Sequence, residues 1–280
     1  MIINSIINEF ALGQTNVFVM LFILLSYIFV SKGKNWAAAF VYSLSMIKVV
    51  PIILLPYFIF NKRWNFIFKS FIIMVIFNLI FVLIFGYHRS TELLNSYSAS
   101  ISKDKISLEG ITFGMNQSLW SASARLSERI IEFNSFKVYL YQIISFIIGI
   151  LLFIPSVLKS KIFHMNLDFN DYSLFICIML LLSPDTRRFH LVFLLIPIFT
   201  ILSQIYSKNF RRIVIFSLFL VFVVISQGII GRGNYEILRH YSIQTIGMLF
   251  LAFLNIYIII TQMLKKKTEG LVFPQEVLFK

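Results

Sequence analysis

An all-α integral membrane protein is the fold class this sequence predicts, and three observations carry the prediction. Hydrophobic residues fill 59% of the 280 positions and charged residues only 13%, a balance outside the range of ordinary soluble domains. The mean hydropathy is +0.86. The net charge of +13 would elsewhere suit a nucleic-acid binder, but here the basic residues sit in short clusters between apolar runs. That distribution is a membrane topology signal, and no nucleic-acid partner is expected. The single cysteine, Cys177, lies inside an apolar run, which leaves no disulfide framework and no thiolate metal site. The first ten residues carry no basic group, so no cleavable signal peptide is expected.

A spanning helix needs roughly 20 apolar residues for a hydrocarbon core of about 30 Å. The runs that meet or approach that length are 16–30, 37–60, 67–85, 138–158, 172–183, 189–206, 213–230 and 245–263. Two are irregular. Lys48, Pro51 and Pro56 interrupt 37–60, and Pro184 stops 172–183 at about half the usual length.

The basic clusters decide how 37–60 is read. They are Lys32/Lys34, Lys62/Arg63, Lys159/Lys161, Lys208/Arg211/Arg212 and Lys265/Lys266/Lys267. If 37–60 crossed once, Lys32/Lys34 and Lys62/Arg63 would face opposite sides. A re-entrant hairpin turning at Lys48 and Pro51, with arms of about 12 residues or roughly 18 Å, puts all of them on the cytoplasmic face. Broken backbone at that depth is tolerated only against protein or a water-filled cavity. The expected architecture is one polytopic domain over 1–280, with about seven spanning helices and this one half-helix hairpin. The segments 1–15, 86–137, 184–188 and 231–244 fall outside the cytoplasm, and a cytoplasmic tail covers about 264–280. An extracytoplasmic N-terminus with no preceding span points to further helices upstream, either in a longer form of the chain or encoded separately.

Lys48 is the first candidate for chemistry, because an ionisable group at membrane depth is costly and is by default a functional residue. At the hairpin tip its ammonium would meet an anionic head group such as a phosphate. The competing reading is a snorkelling lysine or the partner of a buried acid. Gln14 and Asn16, in the run Gly13-Gln14-Thr15-Asn16, offer hydrogen bonds suited to sugar hydroxyls, though an ordinary polar start to a helix looks the same. Asn116 and Gln117 beside Trp120, with Arg125 following, have the make-up of a carbohydrate-binding surface; Trp120 serves equally well as an interfacial anchor. Asp185, Arg187, Arg188 and His190 gather a carboxylate, two guanidiniums and an imidazole at one helix junction. The arginines suit bidentate binding of phosphate oxygens, and His190 suits proton transfer or donation to a leaving phosphate. An Asp–Arg pair plus a satisfied histidine is the plainer alternative. No His, Asp or Glu spacing predicts a metal site, and no cofactor is expected.

In order, Gly13-Gln14-Thr15-Asn16, Lys32-Gly33-Lys34, Lys48 with Pro51, Asn61-Lys62-Arg63-Trp64, Asn116-Gln117-Ser118 with Arg125, and Ser183-Pro184 with His190 ahead of Leu194-Leu195-Ile196-Pro197 resemble glycosyltransferase family 87. The similarity runs over roughly 12–202. It implies a GT-C-like helical bundle and transfer of a hexosyl, mannosyl group from a polyprenyl-phosphate sugar to a glycan or glycolipid acceptor at the extracytoplasmic membrane face. On that resemblance Lys48, Arg187 and Arg188 hold the lipid phosphate. Gln14, Asn16, Asn116, Gln117 and Arg125 hold sugar or acceptor, and His190 and Asp185 are the catalytic candidates. The sequence departs from the GT-C pattern in one respect: the first extracytoplasmic loop, which normally supplies the carboxylate base, lies upstream of the similar region. Neither Glu9 nor Asp185 occupies the family position. A lipid-linked saccharide flippase and a non-catalytic fragment are the alternative functions.

Overall fold

The computed structural model describes residues 15–106, 116–128, 135–183, 186, 188–204, 210–212, 214–215 and 231–271, and within these it leaves out the side chains of 97–98, 100–106, 126–128, 135–142, 188–189, 239 and 267–271. The expected run 213–230 lies almost wholly outside them. Among the described residues the protein is helical, with no strand. Three helices are long and apolar enough to cross a membrane.

The chain first rises through α1, Asn16–Ser31. Gly33, at φ 72°, closes it: Lys34 N–H reaches back to the Phe29 carbonyl at 2.9 Å and Gly33 N–H to Val30 at 3.0 Å. This left-handed cap turns the chain straight into α2, Asn35–Ser45, which packs along α1. α2 stops at Ser45. The backbone turns over Met46–Lys48, and Pro51 opens a 3₁₀ segment, Val50–Leu54, where its missing N–H costs nothing. That segment passes into α3, Leu55–Phe60.

The hairpin expected between 37 and 60 is present. Tyr42 and Phe58 are sixteen residues apart, which along a continuous helix would be about 24 Å; their ring centroids are 5.8 Å apart. Tyr57 on the return arm lies 6.2 Å from Tyr27 near the end of α1, so both arms start and finish at one end of the bundle. Lys32/Lys34 and Lys62/Arg63 therefore share that end. Lys159/Lys161 and Lys266 join them: Ser160 Oγ donates to the Phe60 carbonyl at 3.4 Å, and Lys266 Nζ to the Phe163 carbonyl at 3.0 Å. We call this the lysine-rich end and its opposite the far end.

α4, Trp64–Phe85, follows and crosses α2 through Ser43 Oγ to the Ser70 carbonyl, 3.2 Å, and the Phe40–Phe77 ring contact. Gly86, at φ 77°, ends it and admits an immediate change of direction. The expected extracytoplasmic segment 86–137 is largely helical where it is described. It contains a polar helix α5, Tyr87–Ile106, and a short α6, Leu119–Glu128. α7, Ser135–Lys161, descends to the lysine-rich end and carries Pro155 in its interior.

The centre of the molecule is α8, Phe169–Leu182, the short run that Pro184 was expected to stop. Every residue from Asn170 to Leu181 is buried. The return arm of the hairpin, α7, α9 (Leu195–Gln204) and α11 (Ile243–Leu271) surround it. A 3₁₀ segment, Arg188–Leu194, links α8 to α9, and α10, Arg232–His240, precedes α11. Lipid is as apolar as leucine, so what holds α8 is close packing rather than water exclusion. Tyr57, Tyr172 and Phe175 illustrate it, with ring centroids 4.9 and 5.6 Å from Tyr57, contacts worth about 0.5–1.5 kcal/mol each.

Candidate functional site

The hairpin tip is held by a tyrosine. Tyr42 is fully buried between Phe58 and Phe66, and its hydroxyl donates to the Pro51 carbonyl at 2.9 Å. This bond joins the ascending arm to the first turn of the descending one and so fixes where Lys48, between them, emerges. Lys48 is half-buried. Its Nζ donates to Oδ1 of Asn16, which is fully buried in the first turn of α1. The ammonium therefore stands at the end of α1 opposite the lysine-rich end, against the positive end of that helix's dipole. The 3₁₀ segment Arg188–Leu194 packs on α1 and brings half-buried His190 to the same helix. Lys48 and Asn16 thus meet at the first turn of α1, and His190 belongs to a segment packed on the same helix. Gln14, Asp185 and Arg187 lie outside the described residues, as does the side chain of Arg188.

Asn116, Gln117 and Arg125 form a second group that the structure places in the interior, with exposures of 4, 0 and 1%. Arg125 Nη1 donates to the Asn116 carbonyl at 2.7 Å and to Ser121 Oγ at 2.5 Å, while Nε and Nη2 donate to Ser242 Oγ at 3.2 and 2.6 Å. Asn116 Oδ1 accepts from Thr186 N–H at 3.1 Å, and Gln117 N–H donates to the Thr186 carbonyl at 2.6 Å. Thr186 Oγ1 donates to Leu180 in the last turn of α8, 2.6 Å, and Thr245 Oγ1 to the Gln117 carbonyl, 2.7 Å. The result is a stitch of α6, the end of α8 and the start of α11. Positions up to 128 residues apart in sequence meet there.

Beside the stitch lies a cavity of about 480 Å³ lined by Ile53 of the return arm, Trp120 of α6, Ile143, Ser145 and Phe146 of α7, and Leu181 and Leu182 of α8. Its walls are apolar apart from Ser145, whose hydroxyl pairs with Ser123 at 3.1 Å, and Trp120, whose buried Nε1 has no hydrogen-bond partner among the described residues. Gly149 lets α7 lie against α8 here, since a Cβ on it would meet Leu182 Cγ at 2.9 Å. Among the described residues no group of three His, Cys, Asp or Glu side chains could hold a metal ion.

The sequence model of glycosyltransferase family 87 matches residues 1–184, about two thirds of the chain. The protein belongs to glycosyltransferase family 87. No curated protein and no solved structure matches the chain. Within this family 87 enzyme the matched region holds the hairpin, α6, the cavity and all of α8, and it ends ahead of His190. Membership makes it a glycosyltransferase, and the apolar helices make it a membrane protein.

A third polar group in this family 87 enzyme was missed in the sequence. Lys159, read as a topology charge, is only 1% exposed. Its Nζ donates to Asp171 Oδ2 at 2.7 Å, Asp168 Oδ2 at 3.1 Å and Gln262 Oε1 at 2.7 Å. Ser156 Oγ takes the other Asp171 oxygen at 2.7 Å. Asp168 and Asp171 also form a capping box on α8: Asp168 Oδ1 accepts from Asn170 N–H at 2.9 Å and Asp171 Oδ2 from Asp168 N–H at 3.0 Å. Burial raises the Asp168 carboxyl, but the Lys159 ammonium and these hydrogen bonds outweigh it and leave the group below the usual carboxylate range. The spacing Asp168-x-x-Asp171 before an apolar run was the legible signal for this box.

Proposed function

We propose that this glycosyltransferase moves a hexosyl unit, mannosyl in the first instance, from a polyprenyl-phosphate sugar to a glycan or glycolipid acceptor. The reaction is placed at the extracytoplasmic face of a multi-pass membrane domain. The observation that carries the reading is Lys48: an ammonium raised to the far end of the bundle on a broken helix, oriented by Asn16, in a chain of a glycosyltransferase family. The topology signal of the lysine-rich end supports the cytoplasm on that side and the tip on the other.

In this reaction the acceptor oxygen attacks the anomeric carbon, and the bond from that carbon to the phosphate oxygen breaks. The electron pair leaves with the lipid phosphate, and the hydroxyl proton goes to a base. Charge grows on the phosphate, so a fixed cation there stabilises the transition state more than the ground state. Lys48 takes that role, with Arg187 and Arg188 as further phosphate ligands. His190, on the segment packed against α1, handles the proton, with Asp185 as the acidic candidate beside Thr186. The prenyl chain occupies the apolar cavity between Ile53, Trp120, Phe146 and Leu182, which suits a hydrocarbon tail. Gln14, Asn116, Gln117 and Arg125 remain the sugar and acceptor side, the last three acting through the loop they shape.

The test is transfer from a labelled polyprenyl-phosphate sugar in membranes carrying the parent chain, Lys48→Ala or His190→Ala. Lys48→Ala is expected to lower transfer by about 10²–10³, the effect of removing one electrostatic stabiliser of a developing oxyanion. Undiminished transfer in both variants would remove the site. Liposomes that flip the lipid-linked sugar without forming a glycosidic bond would replace the reaction with transport.

A further inference from the structure

α4 is the most apolar spanning helix described here and the least covered: 11% of its best membrane window is buried. Only Phe66, Ser70 and Ile73 are buried, all in its first half, and from Met74 to Phe85 no side chain is. Apolar side chains facing hydrocarbon need no explanation, since lipid covers them as well as protein does. Asn78 is different. It is exposed, and fourteen residues from Trp64 it stands about 21 Å along the helix, inside a hydrocarbon layer of about 30 Å. Its Nδ2 donates to the Met74 carbonyl of its own helix at 2.8 Å, the one hydrogen bond recorded for this side chain among the described residues. A carboxamide has two donor hydrogens and two acceptor lone pairs. Among the described residues no partner is recorded for the remainder, and in hydrocarbon an amide lacking partners is unfavourable.

The neighbours of Asn78 show which way a partner lies. Phe71, Val75, Asn78, Val82 and Phe85 follow one another at steps of four and three, and each is exposed or half-exposed. This is the 3.5-residue repeat of a left-handed helix pair, with β-branched valines alternating with larger groups. The stripe lies on the side of α4 turned away from Ser70 and Ile73, which face α2.

We propose that this stripe is a homodimer seam, in which α4 packs against α4 of a second copy of the chain. Two copies insert in one membrane with the same orientation, so a twofold axis along the membrane normal sets the helices parallel. Each Asn78 then stands at the depth of its mate, and the two carboxamides satisfy each other without further design. A second copy supplies a polar group at that depth by symmetry alone. The cavity beside Trp120 is lined by the hairpin, α6, α7 and α8, so a dimer on α4 leaves it open.

Cross-linking in native membranes tests this with the full chain. Val82→Cys is placed in the seam and Leu83→Cys one position off it, at a residue 82% exposed; Cys177 is fully buried and stays as it is. Mild oxidation is expected to give a covalent species at twice 32.7 kDa for Val82→Cys and little for Leu83→Cys. Equal yields, which report random collision, or no dimer from Val82→Cys would overturn the proposal. So would a product of another mass, which would assign the seam to a different protein. Monodisperse elution of both variants in detergent checks that they fold. Energy transfer between labelled copies diluted in lipid supplies the second measurement. Asn78→Leu should weaken association about threefold to thirtyfold, the range found for hydrogen bonds between membrane helices, and Asn78→Gln should retain it. Association unchanged by Asn78→Leu contradicts the amide pair.

Discussion

The central helix α8 is pinned at both ends by polar side chains, and the two pins are made differently. At its first turn Lys159 lies between Asp168 and Asp171, opposite charges that satisfy each other along with Ser156 and Gln262. At its last turn Thr186, Asn116, Gln117 and Thr245 tie backbone carbonyls and amides, and Arg125 reaches hydroxyl and carbonyl oxygens among the described residues. The first pin is closed: Lys159 and Asp171 are 1 and 0% exposed and their charge is spent on each other. The second borders the cavity and the chain segment that carries His190. One end of α8 sets where the helix sits, and the other passes that position to the segment that carries His190.

The sharpest way to break this contrast is to remove one charge from the closed pin. Asp171→Ala leaves the buried Lys159 ammonium with Asp168 as its one carboxylate and should cost about 3 kcal/mol, the low end for a broken buried pair, read as thermal unfolding in detergent. Asp171→Leu with Lys159→Met removes the buried pair, leaves the part-exposed Asp168 carboxylate to water and should recover most of that loss; a double variant as unstable as Asp171→Ala would show that the ion pair is not what matters. At the other pin, Thr186→Val removes the donor to the buried Leu180 carbonyl and should cost about 1–3 kcal/mol. Its transferase activity should fall further than its stability, whereas the double variant at the closed pin should keep normal turnover once folded. Gly149→Ala presses a methyl on Leu182, a wall of the cavity, and is expected to cost about 1 kcal/mol while raising the KM for the lipid-linked donor with little change in kcat.

The smallest expected effect is on pH. The Asp168 carboxyl is held below its ordinary value in the folded chain, so its stabilisation is complete above the usual carboxylate range and is lost as pH falls through the lowered folded value. Asp168 is partly exposed, which keeps the contribution small. Thermal stability of the parent should therefore drop on acidification below about pH 4, and Asp168→Asn should show a shallower acid limb.

Much of the fold was readable because membranes impose one-dimensional rules. The symmetry of Lys32/Lys34 and Lys62/Arg63 about Lys48 and Pro51 disclosed the hairpin, and Pro184 marked the short central helix. At the candidate site a lone residue carried the readable signal: Lys48 pointed to the hairpin tip, where its Nζ meets Asn16. Asn116, Gln117 and Arg125 carried a polar signal whose use the sequence did not disclose. Their partners Thr186, Ser242 and Thr245 lie 70 to 128 residues away, and no local pattern announces such pairings. Lys159 looked like any cytoplasmic lysine because nothing within one helical turn reveals Asp171 across the loop. The segment 86–137 lacks the apolar runs that mark spans, so the sequence did not announce α5, which needs only helix-compatible residues.

Fourteen residues make α8 about 21 Å long, against about 30 Å of hydrocarbon. Because its neighbours bury it from Asn170 to Leu181, the bilayer hardly measures this helix, and no tilt or thinning has to correct the difference. The missing 9 Å or so is made up by polar side chains, so the polar boundary dips into the protein at the ends of α8. Any hydrophilic group that approaches an end of α8 has that much less oil to cross.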